Sequence, residues 1–224
     1  MSSGWKAEIA AVFGKELRSE LRSRSGLATA GLFAIVTVFT LTFASMNTKL
    51  DGNIAAGLLW VSVLFSSIVS LPRTFVTEEE QGTGDLLRLW ARPHAVYWGK
   101  ALFNLAQLGV MALLLSFLYL GFTGLELAIP WLYWLTLLAG CAALAGAVTL
   151  TGAIVARAAS RSSLAGAIAV PILLPIMAAG VGGMRSAFGT GFAESGAMSA
   201  LGLVGYAVAS LAIGPWLFAA VWKS

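Results

Sequence analysis

Ala101–Thr123 reads ALFNLAQLGVMALLLSFLYLGFT, a run without one charged side chain. A bilayer core asks for about 20 consecutive apolar residues per helix, and this run meets that length. Immediately before it stands TEEEQGTGDLLRLWARPHAVYWGK, Thr77–Lys100, with four of the chain's 10 acids, three of its 14 bases and its only histidine. An oily span abutting a compact charged patch sets two questions: how many such spans there are, and what the patch is for.

The whole chain follows the oily pattern. It is 58% hydrophobic and 11% charged, with a mean hydropathy of +0.86, whereas soluble domains are roughly a quarter charged. Uncharged apolar runs occur at about 27–46, 54–72, 101–123, 131–155, 164–184 and 200–221. They predict an all-α integral membrane protein with six transmembrane helices in one membrane domain, 1–224. A membrane barrel would show short alternating segments of about 10 residues instead. The 25 glycines suit helices that pack closely in lipid.

Orientation follows from the bases. With the N-terminus inside, Lys6, Lys15, Arg18, Arg22, Arg24, Arg73, Arg88, Arg92, Lys100, Arg157, Arg161 and Lys223 are cytoplasmic, and only Lys49 and Arg185 fall outside. That bias predicts both termini in the cytoplasm. Trp131 and Trp134 open the fourth run and Trp216 and Trp222 close the sixth, as an aromatic belt would, while Trp60 reads as a packing residue. Charges continue to Arg24 before the first apolar run, which speaks against a signal peptide. Across 5–24, Trp5, Ile9, Val12 or Phe13, Leu17 and Leu21 recur at helical spacing between charges, predicting an amphipathic helix along the bilayer surface. No soluble face gathers the net charge of +4 for nucleic acid, and one cysteine allows no internal disulfide.

In the charged segment, Thr77 and Glu80 make a capping box, and the acids suit a helix N-terminus. Leu86, Leu87, Leu89 and Trp90 follow within two turns, before Arg92-Pro93 breaks the run. An exposed apolar cluster of this kind marks either a contact surface for a partner or a face folded back on the bundle.

The order E-x-G-T-x-x-L-L, an interval, then G-K is carried by Glu80, Gly82, Thr83, Leu86, Leu87 and Gly99-Lys100. It resembles the coupling segment of ABC-2-type transporter permeases. KELRSELRSR (Lys15–Arg24), GLLWVSVLFSSIVSL (Gly57–Leu71) and RSSLAGAIAVPILLP (Arg161–Pro175) extend the likeness over nearly the whole chain. Together they resemble the haem exporter B family of cytochrome c maturation proteins. Two places depart from that family's pattern: Pro72 precedes Arg73 where an acid is common, and Gly84 stands where an apolar residue is common.

The resemblance implies a permease subunit in a bacterial-type inner membrane, gripped through 77–92 by a cytosolic ABC ATPase. The coupling residues would be Glu78, Glu79, Glu80, Gly82, Thr83, Asp85, Leu86, Leu87, Leu89, Trp90 and Arg92. It further implies a homodimer matching a dimeric ATPase, other cytochrome c maturation membrane subunits and a haem chaperone. ATP hydrolysis would then drive haem delivery or release of the haem-loaded chaperone. A generic ABC-2 exporter permease for a lipid or small hydrophobic compound is the alternative.

The remaining motifs predict a non-catalytic chain. No G-x-x-x-x-G-K-[ST] phosphate loop is present, so ATP belongs to the partner. No C-x-x-C-H occurs, and His94, Cys141 and Met184 stand alone, so no cofactor is expected on this chain by itself. The six runs contain neither His nor acid, which leaves an intramembrane protease or proton carrier without its chemistry. Pro171 and Pro175 are a candidate gating kink in the fifth run. Ala142 and Gly146, four apart in AGCAALAGA (139–147), form a close helix-packing face.

Overall fold

A computed structural model describes residues 4–23, 25–44, 50–70, 75, 78, 82, 84–156 and 161–223. The elements are α1 (Trp5–Ser23), α2 (Ser25–Ala44), α3 (Gly52–Ser70), α4 (Gly84–Trp90), α5 (Pro93–Thr123), α6 (Pro130–Ala156), α7 (Arg161–Ala187) and α8 (Ala193–Lys223). Among the described residues four helices are long and apolar enough to cross a membrane: α5, α6, the Val170–Ala187 part of α7, and α8. The count becomes five if Trp5–Ser23 and Ala28–Phe43, which meet at 65°, are taken together as one broken span. Gly52–Ile68 is a shorter apolar helix. The chain is a multi-pass, all-helical membrane protein.

Helix ends explain where the sequence reading and the fold differ. Pro93 starts α5 after an extended Arg92, a place where proline's missing N–H costs nothing. The helix therefore begins eight residues before the apolar run, and Lys100 lies two turns inside it. At its other end Gly124, at φ 63°, donates its N–H to the Leu120 carbonyl, an αL cap. The stretch 185–197, which lies between the apolar runs 164–184 and 200–221, is mostly helix, with α7 running to Ala187 and α8 starting at Ala193. Gly189 (φ 81°) and Thr190 close α7 by donating to the Ser186 and Arg185 carbonyls at 3.1 and 3.0 Å, a Schellman pair. Arg185 is thus a residue of the last turn of α7.

The core is built from large rings set against glycine. Trp60 of α3 is fully buried, and a Cβ at Gly140 of α6 or Gly180 of α7 would collide with its ring. Glycine at those two positions lets three helices close around one indole. Gly146 faces Ser210 of α8, so the expected small-residue face of α6 packs within this chain. Tyr119 Oη donates to the Ala55 carbonyl at 2.9 Å and Tyr133 Oη to Ser116 Oγ at 2.8 Å, satisfying buried hydroxyls that lipid could not. Pro171 and Pro175 lie on the exposed outside of α7, which continues as one helix through both. Tyr206 Oη of α8 donates to the Ile172 carbonyl between them at 2.9 Å.

Candidate coupling site

The charged patch is brought to the end of the bundle where α1, the start of α5 and the end of α8 meet. Its short helix α4 divides the apolar residues of the segment. Leu87 turns inward, with Ala91, onto a cluster of Val12, Phe75, Val96, Tyr97, Ala101, Ala153 and Phe218. Leu89 and Trp90 turn outward and are 81% and 85% exposed. Gly82 precedes the helix at φ 66°, a left-handed turn that glycine adopts without strain. Glu79, Glu80, Thr83 and the Thr77–Glu80 capping box lie outside the described residues, as do the side chains of Asp85 and Leu86.

Glu78 is not a solvated acid. It is buried, as is Glu16 of α1, and both reach the same cation from α5. Lys100 Nζ donates to Glu16 Oε1 at 2.8 Å and meets Glu78 Oε2 at 3.0 Å. Lys15 of α1 pairs with Glu16 at 3.3 Å and also with Glu78. Lys100 has 0% side-chain exposure and Lys15 48%. The Phe75 ring covers Lys100 Nζ, 4.5 Å from its centroid, a cation–π contact that desolvation strengthens. Among the described residues two acids and two lysines meet here, and each buried carboxylate touches both cations. Part burial pulls the Lys15 ammonium down, but the charge of Glu16 and the bonds to Glu78 and Glu16 together hold it above its ordinary pKa of 10.5.

Lys100, expected among the cytoplasmic bases, is a buried tie between α5, α1 and the charged segment. The backbone allows this because of its neighbour. A Cβ on Gly99 would fall 2.6 Å from Val12 Cβ and 3.1 Å from the Ile9 carbonyl oxygen, so glycine alone lets α1 lie against α5 here. The Gly99-Lys100 pair thus joins a close approach to the charge that fixes it. Glu8 of α1 adds a second tether, meeting Arg92 Nε at 3.6 Å and the Arg92 N–H at 3.5 Å. Sequence reasoning missed Lys15, Glu16 and Lys100 as site residues. The signal that could have found them was Glu16 four residues after Val12, which puts an acid on the apolar side of α1.

The other sequence candidates do not converge on this site. His94 stacks edge-on against Trp216, with centroids 5.6 Å apart. Cys141 and Met184 are packed in the main core. Farther along α5, Asn104 Nδ2 donates to Thr149 Oγ1 at 2.8 Å. A groove of about 220 Å³ runs between α6, α7 and α8, with Leu150, Ile172, Tyr206 and Gly214 in its lining.

The chain is thus a multi-pass membrane bundle that carries a short, half-exposed apolar helix at one end. The sequence matches the CcmB protein family over residues 7–224, and the chain belongs to that family. It is 30% identical over 225 residues to heme exporter protein B of Bradyrhizobium diazoefficiens, covering 95% of this chain and 96% of that one. It is 28% identical over 171 residues to heme exporter protein B of Rhodobacter capsulatus, covering 75% and 78%.

Proposed function

We propose that this chain is the membrane subunit of a haem-exporting ABC-type complex serving cytochrome c maturation. In this reading it has six spans, α2, α3, α5, α6, α7 and α8, with both termini cytoplasmic and α1 on the inner-membrane surface. The basic bias toward one side supports that orientation. The apolar lengths of α2 and α3, about 30 Å each at 1.5 Å per residue, support counting them as spans. A cytosolic ATPase docks on α4. The observation that carries the proposal is the exposed pair Leu89 and Trp90 on a helix whose other side is anchored to the bundle. An exposed patch on a free loop would transmit nothing; one braced through Leu87 and Glu78 passes a push to α1 and α5 together.

Motion follows only if the ATPase binds two arrangements of this end unequally. Closure of a dimeric ATPase moves α4 in two copies of this chain, and the Glu78–Lys100 contact carries the displacement to α5. Haem, or a haem-loaded chaperone held by other maturation subunits, is the substrate released. The groove between α6, α7 and α8 favours a second reading, an exporter permease for a lipid or small hydrophobic compound, because its lining is almost wholly apolar.

The test is co-purification of the ATPase with the wild type and with Leu89→Asp plus Trp90→Asp. Both side chains point away from the fold, so stability is expected to change by less than about 1 kcal/mol. ATPase recovery is expected to fall at least about tenfold, as for loss of interface anchors. Full recovery with an intact fold would remove α4 as the docking element.

A further inference from the structure

The face of α1 turned away from Glu16 carries a cleft of about 700 Å³ lined by Ala10, Ala11, Gly14, Lys15, Arg18, Ser19, Arg22 and Ser23. Lys15, Arg18 and Arg22 fall within about 60° of one another at 100° per residue, and Ala11 and Gly14 leave the space between them open. The described lining contains three cations and no acid. Beside it Leu17 and Leu21 are exposed, at 40% and 57%, so the cationic floor adjoins an apolar margin.

We propose that this cleft binds the phosphate of an anionic phospholipid, and that the lipid and the coupling segment compete for Lys15. The cations supply the charge and forked donors that a phosphate takes. The adjoining leucines match an acyl margin, which a free phosphate would not need. Lys15 is the link because its ammonium already serves Glu16 and Glu78 while remaining half exposed. A phosphate oxygen that draws Lys15 outward takes one cation away from two buried carboxylates. The coupling segment is then held less firmly through Glu78. Lipid composition would thus set the tension of the contact that carries coupling. The binding site itself stands whether or not an ATPase docks on α4.

Native mass spectrometry of the purified full chain tests this without any ATPase. Dihexanoyl phosphatidylglycerol, dihexanoyl phosphatidylcholine and inorganic phosphate are titrated separately and in competition. Phosphatidylglycerol is expected to bind and phosphatidylcholine of the same chains to bind much more weakly. At about fivefold per surface cation, Arg18→Gln plus Arg22→Gln should weaken phosphatidylglycerol roughly twenty-fivefold. Lys6→Gln, outside the cleft, should have little effect. Glu78→Gln removes one competitor for Lys15 and should tighten binding several-fold. Unchanged binding in the double variant overturns the site, and unchanged binding in Glu78→Gln overturns the competition. Displacement of the lipid by inorganic phosphate at equal concentration overturns the lipid assignment.

Discussion

The two ends of the bundle handle charge in opposite ways. At the end holding α1, Lys100, Glu16 and Glu78 are buried and bonded across three separate parts of the chain. At the other end Asp51, Asn53 and Arg185 stay near solvent. Asp51 Oδ1 accepts from the Asn53 N–H at 2.8 Å, and Arg185 Nε donates to Asn53 Oδ1 at 2.6 Å. An exposed arrangement of that sort contributes little and fails locally. A buried cluster is different, because desolvation makes each charge dependent on its partners. The first end is therefore where one displaced group changes the energy of several elements together, as a transmission point requires. Among the described residues the second end closes helices.

The sharpest way to break this contrast is Lys100→Met. The change takes a buried cation away from Glu16 and Glu78, and such a loss costs about 3–5 kcal/mol. Unfolding in detergent should show that drop, whereas Arg185→Gln at the far end should cost less than about 1 kcal/mol. Adding Glu16→Gln and Glu78→Gln to Lys100→Met should recover much of the loss, since no charge then remains unpaired against an absent lysine. If the triple variant is as unstable as the single one, packing rather than charge holds this end together.

Gly99→Val comes next in size. Its branched side chain would enter the space held by Val12 and the Ile9 carbonyl, and overpacking of this kind costs about 1–3 kcal/mol. The expected result is selective: α1 is displaced, so limited proteolysis near Arg18 speeds up while the spans stay protected. Uniform sensitisation of all helices would mean that α1 is not a separable arm. Gly57→Ala, where an added Cβ meets nothing within 4 Å, is the matched control.

How much of this could be read from the chain depends on the range of the interactions. The spans α5, α6, α7 and α8 were legible because twenty uncharged residues in a row have few other fates, and Trp60 was legible as a packing residue. The short helix α4 was legible from Leu86, Leu87, Leu89 and Trp90, although which of them face outward was not. A seven-residue helix has no long period to reveal its buried side. The Lys100 cluster was invisible because its acids lie far away along the chain, at Glu16 and Glu78, and charge beside an apolar run reads by default as solvated. The α7–α8 connection was read too long because its glycines and serines imitate a loop. There Ser186 instead packs against Gly191 and Gly196, and the small residues serve close contact.

The smallest expected effect tests the far end by pH. Asp51 is fully exposed, and its carboxyl is held below the usual 3.8 mainly by the Asn53 N–H, with Arg185 a minor contributor. A depressed carboxylate contributes stability that is present above its unfolded value and lost as pH falls through the folded one. Nothing should therefore change at this end between neutral pH and about pH 4, and the start of α3 should fray only below 3.8. Lys15 behaves with the other sign. With its pKa raised, it contributes fully below 10.5 and loses that contribution only as pH climbs above it. Amide exchange at Asn53 and Ile54 across an acid series checks the first, with Asp51→Asn expected to abolish the dependence. Acid fraying that persists in Asp51→Asn would assign it to another carboxylate and blunt the contrast between the two ends.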